Sequence, residues 1–339
     1  MTRPALVTGL LAAAYVGLAA LGIAWGTVHI PLGNVVHVLA AAIGLGDDAG
    51  VPATERFLVL HVRLPQVLLL GVVGAALACS GAALQATFEN PLADPAVLGV
   101  SGGAALGAVL AIHTGLAEAM FLALPACAFL GGLGAALLVY ALTYLGGRPT
   151  IHSLLLTGVA VGSMTVAGMS LVMIVTEQHR VQELLFWLVG GVRNQTWEHL
   201  WLALPAVTLG CVGLLGLHRR LDALLLGEEQ ALAVGVPVVQ TRLLVLGFAA
   251  LATGAATAVS GAIGFVGLMV PHLLRRWTGP RTSHLLPACI AGGAAFLMAC
   301  ELLSRVLSER YALHLGILTA FLGGPAFLLI LRRSQGERP

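Results

Sequence analysis

The chain has 339 residues, 58% of them hydrophobic and 9% charged, with 43 glycines and a mean hydropathy of +0.96; this excludes an ordinary soluble domain and points to a polytopic membrane protein. A net charge of +2 excludes a nucleic-acid binder of the basic-patch kind, and because all 17 basic residues are arginine, the lysine-dependent phosphate loop G-x-x-x-x-G-K-[ST] is excluded as well. Cys79, Cys127, Cys211, Cys289 and Cys300 lie singly in apolar segments without C-x-x-C spacing, the pattern of small packing residues rather than of a metal or redox site.

A membrane-crossing helix needs roughly 20 apolar residues. Such windows fall near 4–26, 65–87, 96–113, 117–145, 151–176, 197–217, 240–259, 261–274, 283–307 and 314–332, which predicts ten spans. The first follows a lone Arg3, and its apolar run exceeds that of a signal peptide, so it is read as a retained span. Windows 96–113 and 261–274 are short and glycine-rich, which predicts partial spans whose ends are buried in protein. Between the second and third windows stands FENPLADP, residues 88–95. Pro91 and Pro95 forbid a continuous helix there, and the backbone groups they free need buried protein or a water-lined cavity.

With a cytoplasmic N-terminus, the inner loops collect eleven arginines (Arg3, Arg148, Arg219, Arg220, Arg242, Arg275, Arg276, Arg281, Arg332, Arg333 and Arg338) and the outer loops six (Arg56, Arg63, Arg180, Arg193, Arg305 and Arg310). That bias predicts both termini inside. The longest non-apolar inner segment, about 218–238, carries Asp222, Glu228 and Glu229 ahead of a helix-favouring run, which predicts short amphipathic helices suited to a partner protein. Ser80-Gly81-Ala82 in the second span recurs as Ser260-Gly261-Ala262 at the end of the seventh, a faint echo of the inverted repeats that frame transport paths.

Gly99-Val100-Ser101-Gly102-Gly103 has the spacing of a serine nucleophile elbow. No strand pattern precedes Ser101, and the candidate partners for an intramembrane serine protease, His113, His152 and His272, stand in no recognisable protease setting. Small-residue runs of this kind are ordinary helix-packing faces. Glu301 lies well inside an apolar run with Arg305 four residues on, the spacing of a helical ion pair, although a carboxylate within a span is also what an ion-coupled carrier needs. The eleven histidines are scattered singly with no H-E-x-x-H, and no metal site is expected.

Five separated stretches then carry a resemblance. Arg63-Leu64-Pro65, Ser80-Gly81 with Gln85, Asn90-Pro91-Leu92-Ala93-Asp94-Pro95 with Leu98-Gly99, Leu226-Gly227-Glu228-Glu229-Gln230-Ala231 with Gly235-Val236, and Gly264-Phe265-Val266-Gly267-Leu268 with Pro271-His272 and Arg275 follow one another over about residues 55–331. In that order they resemble the FecCD/BtuC family, the permease subunits of ABC importers for ferric siderophores, haem and vitamin B12.

The resemblance implies an all-α fold of about ten transmembrane helices in one permease domain over residues 1–339, working as a homodimer in the bacterial inner membrane. It implies two ATP-binding subunits on the cytoplasmic face and a substrate-binding protein on the periplasmic face. ATP and magnesium would sit on the partner, with no cofactor in this chain and no enzymatic activity of its own. By motif position, Leu226, Gly227, Glu228, Glu229 and Gln230 would couple to the ATPase. Arg63 and Arg305 would dock the binding protein, and Asn90, Leu92, Thr150, Ile151 and His152 would form the cytoplasmic gate.

This sequence departs from the family at Ile151 and His152, where small hydroxyl residues are usual; at Gln66, where a second docking arginine often stands; at Glu301, in place of a common aspartate; and at Ala312-Leu313-His314-Leu315-Gly316, which lacks a proline. Inward transport of an iron chelate, haem or a ferric siderophore, is the function implied, with cobalamin as the second reading and the Ser101 protease as the alternative of another class.

Overall fold

A computed structural model of the chain describes residues 3–26, 28–48, 50–95, 99–145, 151–192, 195–308 and 313–336. These residues form α1 (Arg3–Ala24), α2 (Leu32–Ala42), α3 (Ala53–Phe57), α4 (Leu64–Thr87), α5 (Val100–His113), α6 (Leu116–Ala119), α7 (Ala123–Leu145), α8 (Ile151–Val175), α9 (Gln178–Val189), α10 (Trp197–Gly216), α11 (His218–Leu224), α12 (Glu228–Ala233), α13 (Val238–Ser260), α14 (Val266–Thr278), α15 (Thr282–Ser308) and α16 (Leu315–Gly336). No strand occurs among the described residues. A π-helical stretch, Leu58–Arg63, joins α3 to α4 in one continuous rod of 35 residues.

Each of the ten predicted windows contains a helix, and seven of the helices are long and apolar enough to cross a bilayer. The two predicted partial spans are short: α5 has 14 residues and α14 has 13, so at about 1.5 Å per residue each covers roughly 20 Å of a hydrocarbon core about 30 Å thick. The eighth window starts later than expected, at Val266, because Gly261 (φ 67°) and Phe265 (φ 67°) both adopt left-handed backbone and keep 261–265 out of the helix. Ser80-Gly81-Ala82 and Ser260-Gly261-Ala262 are not locally alike, since the first lies inside α4 and the second ends α13. Helices α2 and α9, only 11 and 12 residues long, were outside the predicted set.

Helix α4 is the centre of the bundle. In its rod 89% of the apolar window is buried, against 67% in α13 and α15, 17% in α8 and 11% in α1. Helices α1 and α8 therefore face outward and present Leu10, Val16, Leu156 and Leu171 to the surface of the single chain. Glycine sets the closest crossings. A Cβ on Gly74 of α4 would stand 2.3 Å from the Gly293 carbonyl of α15, and one on Gly293 2.2 Å from the Gly74 carbonyl. Gly103 of α5 and Gly131 of α7 repeat this reciprocity at 2.3 Å each. With little hydrophobic drive between helices in lipid, backbone approach through small residues supplies the packing.

Two ends of the bundle are distinguished by side-chain ties. Trp197 Nε1 at the start of α10 donates to the Leu60 carbonyl at 2.8 Å, and Gln195 Nε2 donates to the Val259 carbonyl at 2.7 Å. The beginnings of α4 and α10 and the end of α13 thus share one end, where Arg63 and the end of α15 also lie. The opposite end holds α11, α12, the start of α15 and the turn after α4.

Candidate functional site

At that opposite end, α11 and α12 form a short pair hinged at Gly227, whose φ of 104° suits glycine. Leu221, Leu224 and Ala231 are buried, whereas Leu226, Leu232 and Val234 are exposed. An apolar ridge on otherwise polar short helices is suited to a protein partner. Both helices are tied to the core. Asp222 Oδ1 accepts the Thr282 N–H at 2.6 Å and the Thr282 hydroxyl at 2.7 Å, and so caps the first turn of α15, whose amides lack intrahelical partners. Glu228 Oε2 pairs with Arg242 Nη2 of α13 at 2.9 Å, with the arginine side chain 9% exposed and the glutamate 52%. Of the residues assigned to coupling, Glu228 thus serves an internal tie, while Leu226, Glu229 and Gln230 are exposed.

The proline-broken turn sits at the same end. Asn90 Oδ1 accepts the Leu92 N–H at 2.9 Å, a local side-chain turn that replaces helical hydrogen bonding. Glu89 has a φ of 47°, and Leu92 is exposed. Behind the turn, Gln85 Nε2 donates to the Gly267 and Leu268 carbonyls at 3.1 and 3.3 Å. These carbonyls open the first turn of α14, and a Cβ on Gly81 would come within 1.9 Å of the Gly267 carbonyl. The turn is therefore braced by α4 and by the interior start of a partial span, which satisfies backbone that a continuous helix would satisfy by itself. Of the second gate stretch, Ile151 and His152 open α8, and Thr150 lies outside the described residues.

The arginines expected to dock a binding protein are at the other end, where both are held by backbone carbonyls at the end of α1. Arg63 is 6% exposed. Its Nη1 donates to the Ile23 and Ala24 carbonyls at 2.6 and 3.0 Å, and its Nη2 donates to the Val28 carbonyl. Arg305 pairs through Nε with Glu301 Oε1 at 2.9 Å and donates through Nη1 to the Gly22 and Trp25 carbonyls at 2.8 and 3.1 Å. Two cations thus cap the last turn of α1, where free carbonyls and the negative end of the helix dipole favour them. The i,i+4 ion pair anticipated between Glu301 and Arg305 is present.

Ser101 lies in the first turn of α5. His113, at the other end of that helix, hydrogen-bonds Thr176 at 2.8 Å, roughly 18 Å from Ser101 by helical rise. A Cβ on Gly102 would press on Thr165 Oγ1 at 2.5 Å, and Gly103 meets Gly131, so the motif lies on a packed helix face. No group of three or more His, Cys, Asp or Glu with metal-binding geometry occurs among the described residues.

Sequence reasoning missed Arg242 as the partner of Glu228 and Thr282 as the partner of Asp222. The signal for the first was a charged residue at the margin of an apolar span, which needs a partner. For the second there was none.

Comparison with known proteins fits this geometry. The chain is 42% identical to the cobalamin import permease BtuC of Halobacterium salinarum over 84% of its own length and 75% of the relative's. It is 38% identical to the hemin transport permease HmuU of Yersinia pestis, covering 82% and 84%, and 38% identical to the ABC transporter permease YvrB of Bacillus subtilis, covering 94% and 91%. A solved structure described as an inward-facing metal-chelate type ABC transporter matches with a TM-score of 0.84 and 30% identity over 97% of this chain and 99% of that one. The FecCD transport family model matches residues 12–333; with the fold, the broken turn and the paired short helices in place, the chain belongs to the FecCD family of ABC importer permeases.

Proposed function

We propose that this multi-pass permease is the membrane subunit of an ATP-driven, binding-protein-dependent importer that moves a bulky metal-centred solute inward by alternating access. Two copies form the path between them in the inner membrane, with both termini cytoplasmic. Separate ATP-binding subunits dock on α11 and α12, and a binding protein docks at the Arg63 end. The bond chemistry, with ATP and magnesium, belongs to the ATPase.

The observation that carries this reading is the exposed α11–α12 pair, tied by Asp222 to α15 and by Glu228 to α13 at the end where the 88–95 turn lies. Movement of a partner against that pair is transmitted to two core helices rather than lost in a loose loop, and the Asn90–Leu92 turn with the start of α8 opens or closes beside it. Arg305 and the more buried Arg63 act at the binding-protein face chiefly by holding the end of α1 in place.

The solute is an iron chelate, haem or a ferric siderophore; cobalamin is the second reading, favoured by the 42% identity to a cobalamin permease. Proteoliposomes carrying the complex, with its ATPase and binding protein, are expected to accumulate one of haemin, a ferric siderophore or cyanocobalamin only when ATP is supplied on the ATPase side. Accumulation driven by an ion gradient without ATP would overturn the reading.

A further inference from the structure

Three helices meet at Gly292 of α15, where an added Cβ would stand 2.8 Å from Leu274 Cδ1 of α14 and 3.5 Å from Leu11 Cδ1 of α1. Further along, Arg305 of α15 reaches the Gly22 carbonyl of α1, so α1 and α15 run in the same direction. Helix α14 is joined to α15 by residues 279–281 and runs against them. From the meeting level, Arg3 lies back along α1 and Thr282 back along α15, about 12 and 15 Å by helical rise. Both fall, with the last turn of α14, at the end of the bundle that bears α11 and α12. There the Thr282 hydroxyl donates to the His218 carbonyl at 2.8 Å, which draws the start of α11 to the same place.

Arginines gather where these four helix ends converge. Arg3, Arg219, Arg276 and Arg281 are exposed, and Arg220 and Arg275 are half-buried beside them. None of the six makes a side-chain hydrogen bond or ion pair among the described residues. Asp222, the acid on α11, is taken up by Thr282. A cationic surface without an internal counter-charge attracts an anion from outside. Apolar side chains continue the same faces away from the helix ends. Arg3, Leu6 and Leu10 fall on one stripe of α1, and Leu273, Arg276 and Trp277 on one stripe of α14; all of them are exposed. An acidic protein surface would account for the arginines alone. Charge at a helix end, tryptophan beside it and leucine one turn further in form the pattern of a membrane boundary, where tryptophan sits at headgroup level.

We propose that Arg3, Arg219, Arg276 and Arg281 hold the phosphate of an anionic phospholipid from the leaflet at this end, with Trp277 at headgroup level and the acyl chains along Leu6, Leu10 and Leu273. The arginine fork matches phosphate oxygens two at a time. A zwitterionic headgroup brings its own cation to the arginines and is disfavoured, whereas a net negative one is drawn in by each of them. On the orientation proposed above this is the cytoplasmic leaflet. The site rests on the multi-pass placement of the chain in a bilayer and is independent of the solute carried.

The test is native mass spectrometry of the full chain released from nanodiscs of equal parts phosphatidylglycerol and phosphatidylcholine. The wild-type chain is expected to retain phosphatidylglycerol at least about fivefold over phosphatidylcholine, the scale of one arginine at an anionic surface. Arg276→Gln combined with Arg281→Gln is expected to remove the preference. Arg3→Gln, at the exposed start of α1, is expected to weaken it and keeps the test open if the double variant does not fold. Arg56→Gln, at the other end and already paired with Asp48, is expected to leave it unchanged. Equal retention of the two lipids by the wild-type chain, or the wild-type preference in the arginine variants, would overturn the site. Loss of the preference in inorganic phosphate but not in chloride of the same ionic strength would assign the arginines to a soluble anion and overturn it too. So would release of the co-purified ATPase subunit by the double variant with its lipid preference intact, which would assign them to the protein partner.

Discussion

Arg63 and Arg242 each bring a cation into a largely buried place, and each is held by specific oxygens. Arg63 serves carbonyls at the end of α1; replacing it with Met leaves them uncapped where water is scarce. Charge-assisted hydrogen bonds of this kind contribute about 1.5–3 kcal/mol each, so Arg63→Met is expected to lower the detergent melting temperature distinctly. An unchanged melt would show that Arg63 is free for another role. Glu228→Gln removes the charge facing Arg242 and is expected to cost about 1–3 kcal/mol, the range for a buried group that loses its partner. Glu229→Gln, at an exposed position one residue on, should leave the same melt unmoved. The two neighbouring glutamates look alike in the sequence. Burial of the partner, which only the fold supplies, separates them.

Among elements, the ten apolar windows were legible because a segment that crosses lipid must satisfy its own backbone, and a continuous helix does so. Helices α2 and α9 were not legible. They are too short to cross, and α9 begins with Gln178, His179 and Arg180, charged and polar residues whose place depends on distant partners: Arg180 donates to the Ile112 and His113 carbonyls at 3.3 and 2.9 Å. The break at 88–95 was readable from its prolines, but its bracing by Gln85 on the start of α14 was not, because that contact joins residues 182 and 183 positions apart. The glycine crossings give a direct test of packing. Gly74→Ala is expected to force α4 from α15, with an overpacking cost of about 1–3 kcal/mol, whereas Gly17→Ala, with nothing within 4 Å of its new methyl, should be neutral or stabilise α1 by up to about 1 kcal/mol. Comparison of the two melting curves checks this; equal behaviour would contradict the crossing.

For the whole molecule, the five motifs identify the family because they recur in order along the chain, while composition alone reaches no further than a polytopic membrane protein. What they do not disclose is mechanical. The two ties from α11 and α12 to α15 and α13 join segments 60 and 14 residues apart, and they fasten the exposed pair to the core. Ser101→Ala is accordingly expected to leave ATP-driven uptake unchanged, as measured in proteoliposomes, since the serine lies on a packed helix face.

The coupling claim is tested most directly by co-purification. The tagged chain, expressed with its nucleotide-binding subunit, is expected to bring that subunit through purification and to show ATP hydrolysis only in its presence. Leu226→Glu combined with Glu229→Arg, both at exposed positions on the α11–α12 surface, is expected to abolish both while the melting temperature of the chain stays the same. Full retention of the ATPase by that variant, or ATP hydrolysis by the chain alone, would contradict the account.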